Sequence, residues 1–177
     1  GLVQVAGLTP SDASHVLGRV DVWDGDAALK ALTLLARRRT GAGNPIAQTP
    51  EEMAQIVIDQ LTQQTKWALL ETAFAEEDRG FGGAPSDMAR SSLLQASLER
   101  YRGILKLDAG LNLPVIGLGA SASSYYPAVG NALNCEMILP EHAGVANAIG
   151  AVVGQVTIRR RGTVTAPAEG RYRVHIE

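Results

Sequence analysis

Leu113-Pro114-Val115-Ile116-Gly117-Leu118-Gly119-Ala120-Ser121-Ala122, followed further on by Pro140-Glu141-His142-Ala143-Gly144-Val145-Ala146-Asn147-Ala148-Ile149-Gly150-Ala151, decides how this chain is read. The first stretch is a short apolar strand, Leu113 to Leu118, running into a glycine turn. Its unbroken apolar run is what a strand covered on both faces carries. The second stretch reads as a proline-opened helix, to about Val153, made almost wholly of small residues. Backbone so bare of side chains at two neighbouring places marks a surface where a ligand or another backbone comes close. Between them a helix is expected from about Ser124 and a strand over Glu136 to Leu139. Strand–helix–strand–helix is the signature of a parallel sheet.

Towards the C-terminus the texture changes. Val156 and Ile158 alternate with polar residues, as do Tyr172, Val174 and Ile176, across Thr165-Ala166-Pro167-Ala168-Glu169-Gly170. That is the pattern of an antiparallel pair. Towards the N-terminus the first ~110 residues read as helical. Thr9-Pro10-Ser11-Asp12 and Thr49-Pro50-Glu51-Glu52 each offer a hydroxyl N-cap, a proline at the first helical position and an acid able to reach the free amides. The first helix runs through Val16 and Leu17 to a stop near Gly18. A second is expected over Asp26 to Arg39, with Ala28, Leu32 and Leu35 on one face. Gly41 is its stop, and Arg37-Arg38-Arg39 lies in the last turn, where cations suit the dipole. The third and longest carries Met53, Ile56, Val57 and Leu61, then Trp67, Leu70 and Phe74. After the loop Arg79 to Pro85, a helix from about Ser86 bears Leu94, Leu98, Tyr101 and Leu105. The expected organisation is therefore α/β: a helical segment over 1–110, a β-α-β-α unit over 111–154 and a β-hairpin tail over 155–177.

Bulk properties narrow the function classes. The chain has 177 residues and 46% hydrophobic content, enough for a core. Its net charge of −2 gives no ground for nucleic acid or a membrane surface as partner. A single cysteine, Cys135, excludes an internal disulfide and fits a reducing cytoplasm. No apolar run approaches the ~18 residues of a membrane span. The chain does not open with methionine, which reads as the mark of a piece of something longer.

Gly117-Leu118-Gly119-Ala120-Ser121-Ala122 formally satisfies the dinucleotide fingerprint, with Glu136 as its ribose acid. Glu136 falls short of the roughly 20-residue offset that fold uses, and no further strands follow to complete a doubly wound sheet. A tight packing turn with no ligand is the plain alternative. Cys135 reads as packing, since no histidine stands near it. His15, His142 and His175 share no metal-ligand spacing, so no metal site is expected within the chain. Glu76-Glu77-Asp78 reads as a solvated helix end. Arg37-Arg38-Arg39 and Arg159-Arg160-Arg161 are candidate phosphate grips, and Gly80-Phe81-Gly82-Gly83 a candidate anion loop, each with a plainer structural reading.

A broader pattern covers about residues 7 to 154. The glycine turn and small-residue helix resemble the closing segment of the actin-like, ribonuclease-H-like ATPases. Gly7-Leu8-Thr9-Pro10-Ser11-Asp12-Ala13, Val16-Leu17-Gly18-Arg19, Val115 to Ala120 and Pro140 to Gly150 together resemble the A subunit of the hydantoinase/oxoprolinase family. The resemblance implies an ATP-dependent hydrolase that opens a cyclic amide such as 5-oxoproline or a hydantoin, with ATP and Mg²⁺ as cofactors. It implies a B-type subunit or domain as partner, beside the remainder of the same polypeptide. On this reading Gly117, Gly119, Ala120 and Ser121 border the adenosine, with Glu141, His142 and Asn147 as further candidates nearby. Activation of the ring by phosphorylation needs a phosphate-holding turn and acids for the metal. The family's Asp-x-Gly-Gly-Thr element does not occur here, nor does a G-x-x-x-x-G-K-[ST] loop. The chain then resembles a C-terminal portion that is inactive by itself. The rival reading is a non-enzymatic helical interaction module whose glycines serve packing.

Overall fold

The computed structural model describes residues 7–77, 79–154 and 162–176. It is a mixed α/β structure that divides into two compact units, 1–145 and 146–177. The first unit holds α1 (Pro10–Val16), α2 (Gly25–Ala36), α3 (Pro50–Glu76), α4 (Pro85–Arg90), α5 (Ser92–Leu98), β1 (Val115–Ile116), α6 (Ala122–Ala132) and β2 (Met137–Ile138). A 3-10 turn over Ala143–Val145 ends it. The second unit holds α7 (Ala146–Val153), β3 (Gly162–Ala168) and β4 (Arg171–Ile176). No helix among the described residues is long and apolar enough to cross a membrane.

Helix starts follow from local chemistry. The Asp12 carboxylate accepts from both the amide and the hydroxyl of Thr9, at 2.7 Å each. At the start of α3, Thr49 Oγ1 accepts the Glu52 amide, while the Glu52 carboxylate accepts the Gln48 amide. These are the paired caps that satisfy first-turn donors. Helix α1 ends at Val16, and Gly18 adopts φ +65°, as its position after the helix requires.

Helix ends depart from expectation. Helix α2 stops at Ala36, so Arg37-Arg38-Arg39 is not in its last turn. A tight return replaces that turn: Ile46 N donates to Arg38 O, Thr40 N to Asn44 O, and Arg39 bridges Pro45. Gly43, not Gly41, takes the left-handed φ, at +83°. The helix expected from Ser86 to Leu105 is two helices. Ser91 turns out of α4 and caps α5, its Oγ accepting the Leu94 amide. Helix α5 ends at Leu98, and Tyr101 and Leu105 lie in an exposed loop.

Two hydrophobic clusters share α3 and α6. One gathers Ala13, Leu32, Ala36, Met53, Ala54 and Ile58; the other Leu70, Ala89, Leu98, Val129 and Leu133. Alanines at the crossings let α1, α2 and α3 approach closely. The α3 stripe runs through Met53, Ala54, Ile58, Lys66 and Leu70, and Ile56 faces outward. Lys66 is buried, its Nζ donating to Gln95 Oε1 at 2.7 Å. Desolvation pulls its pKa below the usual lysine value, against the opposing pull of Glu99.

Tyr125 of α6 packs against both clusters. Burial, then its contact with Tyr126, push its phenol up to about 12 from 10.0, while a hydrogen bond with Thr65 acts the other way. Above pH 10 the unfolded chain releases this proton and the folded chain keeps it. Stability should therefore fall between pH 10 and about 12. Denaturant melts across that window should show a shallower fall in Tyr125→Phe; an unchanged slope would contradict the assignment.

Strands β1 and β2 pair in parallel, Val115 with Met137 and Ile116 with Ile138, with α6 as their crossover. Gly130 of α6 lies so close to Met137 that a Cβ there would sit 2.7 Å from the methionine Cβ. Asn134, at φ +48°, closes the helix and donates from Nδ2 to Leu98 O and Ala109 O. The expectation of a strand covered on both faces does not hold. Met137 faces α6 at Gly130, but Ile116 is 60% exposed and Ile138 38%. With two strands and one crossover helix, nothing among the described residues covers that second face.

In the second unit no residue of α7 is buried, and a Cβ at Gly150 would meet open space. The start of α7 differs from expectation: Pro140 to His142 form a turn, so His142 precedes the 3-10 segment instead of opening a helix. The antiparallel pair is present, Val164 opposite Val174, with an irregularity between Thr165 and Ala168. Thr165 to Ala168 belong to β3, so the turn is Glu169-Gly170, with Gly170 at φ +73°. The expected strand residues Val156 and Ile158, and Arg159-Arg160-Arg161, lie outside the described residues, as does Asp78.

Candidate functional site

In a parallel sheet, ligands gather outside the carboxyl ends of the strands. Two loops meet there in the first unit. Gly117 to Ser121 leave β1, and Leu139 to Val145 leave β2. Gly119 N donates to Ala143 O at 2.8 Å, and a Cβ on Gly144 would lie 3.9 Å from Ala120 Cα. Small residues on both loops permit this approach.

The two glycines of the turn serve different purposes. Gly117 is buried, and an added Cβ would run into the Tyr126 ring and lie 2.6 Å from Leu139 Cδ2. Its bareness is for packing beneath the turn, not for bordering a ligand. Gly119 holds φ +118°, which side chains resist, and its missing Cβ faces open space with nothing within 4 Å. The turn then enters α6: Ala122 N donates to Gly119 O, and both the amide and the hydroxyl of Ser124 donate to Ser121 O. The positive end of the α6 dipole lies at this turn.

A cleft of about 120 Å³ opens beside it, lined by Ser11, Ser14, Val20, Val22, Trp23, Ala120, Ser121 and Ser124. Arg19 ties its two sides together, donating to Ser124 O at 3.0 Å and to Gln55 Oε1 at 3.4 Å. The Val20–Trp23 wall is held from behind, where His15 Nε2 accepts the Trp23 amide at 3.2 Å and its ring lies 5.8 Å from the indole. The indole itself is 65% exposed. Four hydroxyls, an exposed indole and two valines suit a flat, partly polar group that can stack and accept hydrogen bonds.

Ala120 and Ser121 thus line the cleft, while Gly117 and Gly119, earlier in the same turn, do not. Glu141 and His142 are exposed and do not line it. Asn147 belongs to the second unit, where its Oδ1 accepts the Ala148 amide. Glu136 stands at the wrong end of its strand for a ribose acid. The register sets it level with Pro114, three residues short of Gly117, or roughly 10 Å along the strand. Ser11, Ser14, Val20, Val22, Trp23 and Ser124 were not singled out from sequence. Their one signal is Ser-x-x-Ser in the first turn of two helices, which sets both hydroxyls of each pair on one face.

The other candidates are explained structurally. Cys135 is partly buried against the cluster that holds Leu70, Leu98 and Val129, and burial pushes its thiol pKa up, the reverse of a poised nucleophile. In the glycine loop, Phe81 makes an edge-to-face contact with Phe74, with ring centres 5.2 Å apart. Helix α4 behind it is only six residues long and has no side-chain cap. Among the described residues no three His, Cys, Asp or Glu side chains converge to hold a metal. No family model matches this chain, and no curated protein or solved structure matches it.

Proposed function

We propose that this chain is a portion of an ATP-dependent cyclic amide hydrolase of the hydantoinase/oxoprolinase type, built on an actin-like ATPase fold, and that it contributes the adenosine side of the nucleotide site. One observation carries the reading. Two of the stretches behind the resemblance, Gly7 to Arg19 and Val115 to Ala120, are far apart in the chain; the third, Pro140 to Gly150, does not line the cleft. The first two border one cleft at the carboxyl end of a parallel strand pair, joined by Arg19 and Ser124 across 105 positions. The open space at Gly119 supports it further.

The residues divide the work by size and polarity. Ala120 keeps the approach clear, the serine hydroxyls offer donors and acceptors, and Trp23 offers a stacking face. The cleft, at about 120 Å³, is smaller than the ~300 Å³ at which ligand pockets begin. It suits the base or ribose of a nucleotide whose phosphates are held by other parts of the parent protein. ATP, when bound, supplies the phosphoryl group that activates the amide. Among the described residues no acids converge in a way that fits a Mg²⁺ site.

The interaction-module reading draws on a different observation, the bare apolar face of Ile116, Leu118 and Ile138. Activity separates the two. The parent polypeptide, with its B-type partner, should open a hydantoin or 5-oxoproline ring only with MgATP, and the purified 177-residue chain should turn over neither ATP nor the ring. Metal-dependent ATP turnover by the chain alone, or ring opening by the parent without ATP, would contradict the proposal.

A further inference from the structure

The stretch Arg100 to Asp108 is a small ordered loop that holds apolar side chains out in solvent. Arg100 takes φ +54°, Leu107 N donates to Tyr101 O, Gly103 N to Leu105 O, and Arg102 bridges Lys106. The Arg102 guanidinium locks it from inside, donating to Arg100 O, Tyr101 O, Leu107 O and the Asp108 carboxylate. The Tyr101 ring covers Gly103, where a Cβ would run into it. At the tip Ile104 is fully exposed and Leu105 is 62% exposed. A loop with this many internal hydrogen bonds has little entropy left to lose on binding, which is how a preorganised anchor behaves.

A receptor for such an anchor lies next to it on the same unit. The segment leaving the loop, Ala109 to Leu111, forms one side of an apolar pocket of about 150 Å³ closed by Leu70, Phe74, Phe81, Leu94 and Leu98, with Glu77 at its rim. A cavity of that size accepts a group as large as benzene, so a branched aliphatic side chain fits. The charges match as well: Lys106 flanks the knob, Arg100 being paired with Asp108 at 3.9 Å, and exposed Glu76 and Glu77 end the helix beside the pocket.

We propose that this loop docks on a second copy of the chain, Ile104 entering the partner copy's Phe74/Phe81 pocket with Lys106 set against Glu77. Because knob and pocket are neighbours, a two-fold arrangement uses each twice, which is the closed geometry of a homodimer. The anchor is small, so the pair is weak and reversible. The inference does not depend on the nucleotide reading, since neither the loop nor the pocket touches the cleft at Gly119.

Sedimentation velocity on the 177-residue chain, from about 1 μM to about 1 mM, tests it. A concentration-dependent dimer is expected. Ile104→Asp should raise its dissociation constant roughly tenfold or more, with an unchanged circular dichroism spectrum because Ile104 makes no core contact. Lys106→Glu and Glu77→Lys should each weaken the dimer, and the two together should recover part of the loss. A monomer across the whole range would overturn the proposal. So would a dimer indifferent to Ile104→Asp, or a double charge reversal no better than either single one.

Discussion

Gly117→Val should lower the unfolding free energy by about 1–3 kcal/mol, the usual cost of forcing extra methyl groups into a packed site. Its first added carbon would collide with the Tyr126 ring and with Leu139, which sit on α6 and on the segment after β2. The Tyr126 ring cannot withdraw freely. Tyr126 packs edge-on against Tyr125, ring centres 4.6 Å apart, and Gly117 N is fixed by its bond to Ile138 O. The strain therefore falls on the β1–α6–β2 unit. Urea unfolding of the 177-residue chain measures it, and a variant as stable as the parent would show that the close approach is not maintained in solution.

Gly119 should behave differently, and two substitutions separate its backbone from its surroundings. Gly119→Ala and Gly119→Val share the cost of a side chain at φ +118°, about 1–3 kcal/mol, so their thermal midpoints should fall together. Only valine projects branches into the open space beside Ala120. In the parent protein, valine should weaken nucleotide binding at least roughly tenfold beyond alanine, a difference of about 1.4 kcal/mol. Calorimetric titration of the folded variants with ADP reads this. Equal affinities would mean that the space is not the adenosine site.

Elements decided by neighbouring residues were legible in the sequence. Thr9 and Thr49, each followed by proline and an acid, mark helix starts because a cap acts within one turn. Gly18 marks a stop for the same reason. The parallel β1–α6–β2 unit was legible in kind, since apolar runs alternated with a helix-length spacer. What failed depended on competition or on distant partners. Arg37 to Arg39 are good helix formers, but the return through Gly43 and Pro45 draws the chain out of α2. Leu94, Leu98, Tyr101 and Leu105 keep helical spacing, yet Ser91 starts a new helix and Arg100 ends it in the left-handed region. Leu113 to Leu118 carries the pattern of a doubly covered strand, while its outer face is bare among the described residues.

The candidate site divides in the same way. Gly119 announces itself locally, because an unusual φ and a missing side chain are properties of one position. Gly117 carries the same letter for a different reason, which only its contacts with Tyr126 and Leu139 reveal. Trp23 and the serines of α1 gain a shared role only where the fold sets them opposite Ser121 and Ser124. No local pattern encodes that meeting across the chain.

If this chain forms the adenosine side of a nucleotide site, adenosine contacts the cleft between α1 and the Gly119 turn. Titration of the ¹⁵N-labelled chain with millimolar ADP, followed through its backbone amides, locates the contact. Shifts should concentrate at Gly119 to Ser124 and at Ser11 to Trp23, and the same shifts should be greatly reduced in Gly119→Val. Shifts concentrated elsewhere, or a response that Gly119→Val leaves intact, would contradict that reading.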